Sequence, residues 1–114
     1  LAEAYALDLG DGAVAALLGG GPADRPEHYA AADPVARPPR VPAVVLHGDR
    51  DAQVPVVLSR RYAAAARSAD ADVTLRVLAG VEHFGLITPF STAWPDVLDE
   101  LRTLSRGSFG IAAP

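Results

Sequence analysis

Two short segments carry the side chains that can move protons. The first is His47-Gly48-Asp49-Arg50-Asp51-Ala52-Gln53-Val54-Pro55, and the second is Gly80-Val81-Glu82-His83-Phe84. A carboxylate set beside an imidazole fixes its tautomer, holds the ring and stabilises the imidazolium formed when the other ring nitrogen takes a proton. Asp51 and His83 are the candidate acid and base of such a pair. They lie 32 residues apart, so only the fold can bring them together. The element that must do so is a parallel sheet, whose functional loops gather at the carboxyl ends of neighbouring strands.

The strands are legible. Pro42-Ala43-Val44-Val45-Leu46-His47 is a short, continuously apolar run, as suits a parallel strand buried on both faces. Residues 72–78 alternate Val73, Leu75 and Val77 against Thr74 and Arg76, which predicts an edge strand with one wet face. Between them Pro55 opens a helix to about Ala69, with Val57, Leu58, Tyr62 and Ala65 as its apolar stripe. Ser91 or Thr92 caps a last helix from Ala93 to about Arg106, where Trp94, Val97, Leu98, Leu101 and Leu104 share one face. Strand, helix, strand, helix reads as a right-handed crossover unit with a terminal helix.

Residues 1–40 read as a helical connector. Residues 1–9 end one helix, Asp11 caps a second over Gly12 to Leu18, and Gly19-Gly20-Gly21-Pro22 stops it. Pro26-Glu27-His28-Tyr29-Ala30 gives one more helical turn. Asp33-Pro34 and Pro38-Pro39 then hold the chain extended up to the strand. The organisation expected is a connector over 1–40, a βαβα part over 41–106 and a tail over 107–114.

Composition bounds the rest. Half of the 114 residues are hydrophobic, enough for one small globular core. The formal charge of −4 is spread without blocks, which argues against nucleic acid or an anionic membrane as partner. No apolar run approaches the ~20 residues of a membrane span. The chain has no Cys, which excludes thiolate chemistry and disulfides and fits a cytoplasmic location. With no Met anywhere, a piece of a longer polypeptide is expected. The three histidines show no metal spacing, and nothing implies a cofactor.

The paired motifs His47-Gly48-x-x-Asp51-x-x-Val54-Pro55 and Gly80-Val81-Glu82-His83-Phe84 resemble the C-terminal part of an α/β-hydrolase. The resemblance covers residues 41–106. His83-Phe84-Gly85-Leu86-Ile87 followed by Trp94 is similar to the esterase/lipase branch that includes arylformamidase (kynurenine formamidase)-like enzymes. Dienelactone hydrolases and prolyl-oligopeptidase-type peptidases share the first motif. The resemblance implies an incomplete sheet of two parallel strands with flanking helices, Asp51 as triad acid and His83 as general base. It implies a serine hydrolase acting on a small-molecule ester or amide through an acyl-enzyme. The alternative is a non-catalytic remnant of that fold, or a binding module.

The nucleophile is missing. The family's serine sits in Gly-x-Ser-x-Gly, and none of Ser59, Ser68, Ser91, Ser105 and Ser108 has that setting. The chain alone is therefore expected to be inactive, and its unpaired sheet edge to invite self-association. Each site residue has a plainer reading as well. Asp51 could instead be a turn aspartate or a cap for the helix at Pro55, Asp49 is the turn former with the acid role as its lesser alternative, and His83 could be a surface histidine. His47 is expected to hold the loop by a hydrogen bond, His28 to be solvated, and Phe84 and Leu86 to pack.

Overall fold

The computed structural model describes residues 1–108, and the expected tail beyond Ser108 lies outside the described residues. The chain divides into two compact units, Leu1–Pro38 and Pro39–Pro114.

The first unit holds three short helices: α1 (Ala2–Ala6), α2 (Ala13–Leu18) and α3 (Pro26–Ala32). Asp11 does not cap α2. It takes a positive φ of 57° itself, and Gly12 occupies the N-cap with no side-chain bond. Tyr29 is the buried anchor of α3, and its hydroxyl donates to the Gly20 carbonyl at 2.9 Å. His28 is exposed, yet its Nδ1 is 2.8 Å from the Leu18 carbonyl, so Nδ1–H donates there. After the extended Asp33, Pro34–Ala36 coils into a 3-10 turn rather than staying extended. The Asp33 carboxylate accepts from Val35 N–H and closes that turn.

The second unit carries the sheet. Among the described residues β1 (Ala43–Gly48) and β2 (Val73–Leu78) pair in parallel, in register from Ala43 opposite Val73 to Gly48 opposite Leu78. Their carboxyl ends therefore lie side by side. Between them runs α4 (Val56–Ser68), and α5 (Trp94–Ser108) follows. The two-residue period of a strand sends Ala43, Val45, Val73 and Leu75 to one face, where α4 packs on them. The tightest contact there is made by Ala63 and Ala66, at 1 % and 3 % exposure. Small side chains let the helix backbone approach the sheet closely.

Two stripes differ from their expected positions. On α4 the buried face is Ser59, Tyr62, Ala63 and Ala66, and Val57 is exposed. On α5, Leu101 is 56 % exposed, whereas Val97, Leu98 and Leu104 are partly buried. The wet face expected of β2 is also partly covered. Arg76 is clamped by α5, its two terminal nitrogens 2.8 Å from Glu100 and 2.7 Å from Asp96. The sheet thus carries α4 on one face and α5 on the other. A second small cluster of Leu78, Val81 and Ala93, with Leu86 against it, closes the carboxyl end of β2.

Because Ala63 sits where helix and sheet backbones nearly touch, enlarging it forces them apart. Ala63→Leu is expected to lower unfolding stability by roughly 1–3 kcal/mol in a urea titration, whereas Val57→Ala on the exposed side should move it little.

Candidate active site

The site lies in the two loops that leave the parallel strands. The loop after β1 begins with Gly48, and a methyl group there would land on the Val81 carbonyl. Glycine at this position therefore allows the second loop to cross against the first. Backbone bonds then lace the two together: Asp49 N–H to the Leu78 carbonyl and Arg50 N–H to the Val81 carbonyl, both at 3.0 Å. The Asp49 carboxylate adds a third tie, accepting Gly80 N–H at 2.7 Å, and Gly80 itself takes a positive φ of 74°. Asp49 is thus the strap between the loops.

Asp51 closes its own turn and also meets the histidine. Its Oδ1 accepts the N–H groups of Gln53 at 2.9 Å and Val54 at 2.8 Å. Its Oδ2 lies 2.8 Å from His83 Nδ1. One oxygen thus closes the turn and the other meets the imidazole, so the two contacts do not compete. The side chain is only 5 % exposed. Burial pushes its pKa up, but the Val54 N–H, the His83 imidazole and the Gln53 N–H outweigh that, and the pKa ends below the ordinary carboxylate value.

His83 opens a 3-10 turn, His83–Ile87, whose first N–H groups are capped by Glu82: the Glu82 carboxylate accepts from Phe84 N–H at 2.9 Å. Because a carboxylate accepts, His83 Nδ1 carries the proton. Nε2 is then the basic nitrogen, and it hydrogen-bonds to none of the described residues. The ring is 37 % exposed and stands edge-on to Phe84, centroids 5.0 Å apart at 85°. A partly open cleft of about 380 Å³ spreads in front of it, walled by Leu46, Phe84, Leu86 and Ile87 on its apolar side. Phe84 is 51 % exposed, so it forms cleft wall rather than core, and Leu86 does both.

His47 holds the loop as expected, since its Nε2 is 2.8 Å from the Val54 carbonyl. Its other nitrogen, Nδ1, meets Ser59 Oγ of α4 at 2.6 Å. The sequence reading missed Ser59. The available signal was a polar residue at the i, i+3/i+4, i+7 spacing of Ala63 and Ala66, on the buried face of an otherwise apolar stripe. Ser91 is not a simple helix cap either, because its hydroxyl donates to the Gly85 carbonyl at 2.5 Å and fixes the end of the His83 turn. Among the described residues no group of three His, Asp or Glu side chains is arranged to hold a metal ion, and no helix is long and apolar enough to cross a membrane.

No protein-family model and no curated protein matches the chain significantly. A solved structure does: a thermophilic esterase from the planctomycete Thermogutta terrifontis, with propionate bound. The TM-score is 0.57 at 26 % sequence identity, covering 71 % of this chain and 31 % of that esterase. With two parallel strands, helices on both faces and this likeness, the architecture is decided. The fold is that of part of an α/β-hydrolase. The chain spans about a third of the length of the esterase it matches.

Two consequences can be measured. Gly48→Ala should separate the loops, costing roughly 1–3 kcal/mol and breaking the Asp51–His83 contact, seen as a loss of the hydrogen-bonded imidazole proton resonance. The Asp51 pKa is depressed by folding, so its stabilisation is complete above the unfolded value near 4 and is lost as pH falls through the folded value. Urea midpoints should therefore drop below about pH 4, and Asp51→Asn should flatten that part of the profile.

Proposed function

We propose that the chain supplies the acid and the general base of a serine hydrolase that cleaves a small ester or amide, with the nucleophilic serine contributed from outside these residues. The observation that carries this reading is the sense of the Asp51–His83 bond. The carboxylate holds Nδ1–H, which leaves Nε2 as the base on a ring that lines the cleft. In the reaction, Nε2 takes the serine hydroxyl proton as the oxygen attacks the substrate carbonyl. Asp51 stabilises the imidazolium. Nε2–H then protonates the leaving alcohol or amine as its bond to the carbonyl carbon breaks, leaving an acyl-enzyme. Water, deprotonated by the same nitrogen, then bonds to the acyl carbon; the carbon–serine oxygen bond breaks, Nε2–H returns its proton to the serine oxygen, and the acid leaves. The chemistry uses no cofactor.

The likeness to an esterase supports an ester as the first substrate class. The apolar wall of Leu46, Phe84, Leu86 and Ile87 supports an apolar acyl or leaving group. The resemblance of His83-Phe84-Gly85-Leu86-Ile87 to arylformamidase-like enzymes makes an aryl formamide the second substrate to assay. Ser59 does not serve as the nucleophile in this reading. Its hydroxyl is engaged by His47, and it stands within a helix rather than on a glycine-flanked turn.

The test joins this chain to its upstream coding sequence. That polypeptide should hydrolyse p-nitrophenyl esters and be labelled by a fluorophosphonate on a serine flanked by glycines. His83→Ala should lower kcat by about 10⁴-fold or more. Asp51→Asn should lower it by about 10⁴, because an amide facing Nδ1 favours the wrong imidazole tautomer. The 114-residue chain by itself should show no turnover above background. Turnover by the chain alone that Ser59→Ala abolishes would overturn the assignment of an outside nucleophile.

A further inference from the structure

One oxygen of Asp51 faces two imidazoles. Besides the 2.8 Å contact with His83 Nδ1, Oδ2 lies 3.3 Å from His47 Nε2. Both His47 and Asp51 are buried, with side chains 8 % and 5 % exposed. The proton positions along this chain of groups follow from the acceptors. The Val54 carbonyl, 2.8 Å from His47 Nε2, can only accept, so Nε2 carries a proton and donates it to that carbonyl, with Asp51 Oδ2 standing beside it at 3.3 Å. His47 Nδ1 is then a lone pair, and the Ser59 hydroxyl 2.6 Å away donates to it. Period-two alternation along β1 explains why these groups meet. It sends His47 to the same face as Ala43 and Val45, where α4 lies and presents Ser59.

We propose that His47 is a positioning residue for the acid: held by the Val54 carbonyl at Nε2–H and by the Ser59 hydroxyl at Nδ1, its ring stands against Asp51 Oδ2 and keeps that oxygen on His83 Nδ1. This rests on reading Asp51 and His83 as acid and base. With Oδ1 fixed by the Gln53 and Val54 N–H groups, Oδ2 is bonded to His83 and backed at 3.3 Å by the buried His47 ring, so the carboxylate has little room to turn away. The Ser59 hydroxyl matters because it fixes the His47 ring from the α4 side, although it hydrogen-bonds to neither Asp51 nor His83.

Other charged groups in these loops are accounted for. Asp49 is held on Gly80 N–H and Glu82 on Phe84 N–H, and Arg50 is exposed. From α4 the group facing His47 is the neutral Ser59 hydroxyl. None of them changes in the variants below.

The test is long-range proton–nitrogen NMR on the whole chain, with no need for turnover. At neutral pH the unaltered protein should show His47 as the Nε2–H tautomer and His83 as the Nδ1–H tautomer. An Nδ1–H His47 would overturn the proposal. His47→Asn keeps a polar group toward Ser59 but has no donor that reaches Asp51. It should loosen the Asp51 carboxylate and shift the His83 Nδ1 proton upfield, toward that of a free imidazole. His47→Gln restores an N–H where Nε2 stood and should return that resonance to its position in the unaltered chain. A merely structural His47 would leave the His83 Nδ1 resonance unmoved in both variants, or shift it equally in both, and either result sinks the idea. If both variants fail to fold, which the same spectra reveal, the tautomer of His47 in the unaltered protein decides. Absence of hydrolysis in the joined polypeptide would remove the catalytic meaning of the pair without touching these spectra.

Discussion

The close passage of Gly48 against the Val81 carbonyl is the constraint on which the rest of the site depends. Two parallel strands in register end side by side, but that alone leaves their loops free to diverge. Here the absence of a side chain at Gly48 lets the second loop cross the first, and three hydrogen bonds hold the crossing: Asp49 N–H to Leu78, Arg50 N–H to Val81, and Gly80 N–H to the Asp49 carboxylate. Asp51 stands three residues past Gly48, and His83 two past Val81. Their 2.8 Å contact is a consequence of that crossing.

Asp51 then does several jobs with one carboxylate. A turn contact and an imidazole contact are usually weighed as rivals, because each accounts for an aspartate in a loop. In this fold they reinforce each other. Oδ1, bound by two backbone N–H groups, stiffens the turn, and the stiffened turn aims Oδ2 at the imidazole. The same bonds hold the carboxyl in its charged form although it is buried, which is the state a partner for an imidazolium must have.

The packing around the site has a matching logic. Ala63 and Ala66 bring α4 near the sheet, and that approach is what lets Ser59, one turn earlier, reach His47. On the opposite face Arg76, between Asp96 and Glu100, ties α5 to β2. Ser91, just ahead of α5, ties the His83 turn to the helix start. Both helices therefore bear on the two loops, one through His47 and one through the segment that follows His83.

Much of this was legible in the residues. The continuous apolar run of β1, the Pro55 helix start, and the motifs around Asp51 and His83 determined the strands, the order of elements and the identity of the pair, because such patterns reflect local periodicity and loop chemistry. The exposed Val57 and Leu101, the clamped Arg76 and the partner of Ser59 were not legible. An amphipathic pattern gives the width of an apolar stripe but not which part of it meets a neighbour, since that depends on helix rotation and on how closely the backbones approach. Which oxygen of Asp51 serves the turn and which the imidazole, and that two histidines face the same oxygen, only the tertiary structure decided. These are contacts between loops and helices far apart in the chain, and their geometry is set by the Gly48 crossing rather than by any local preference.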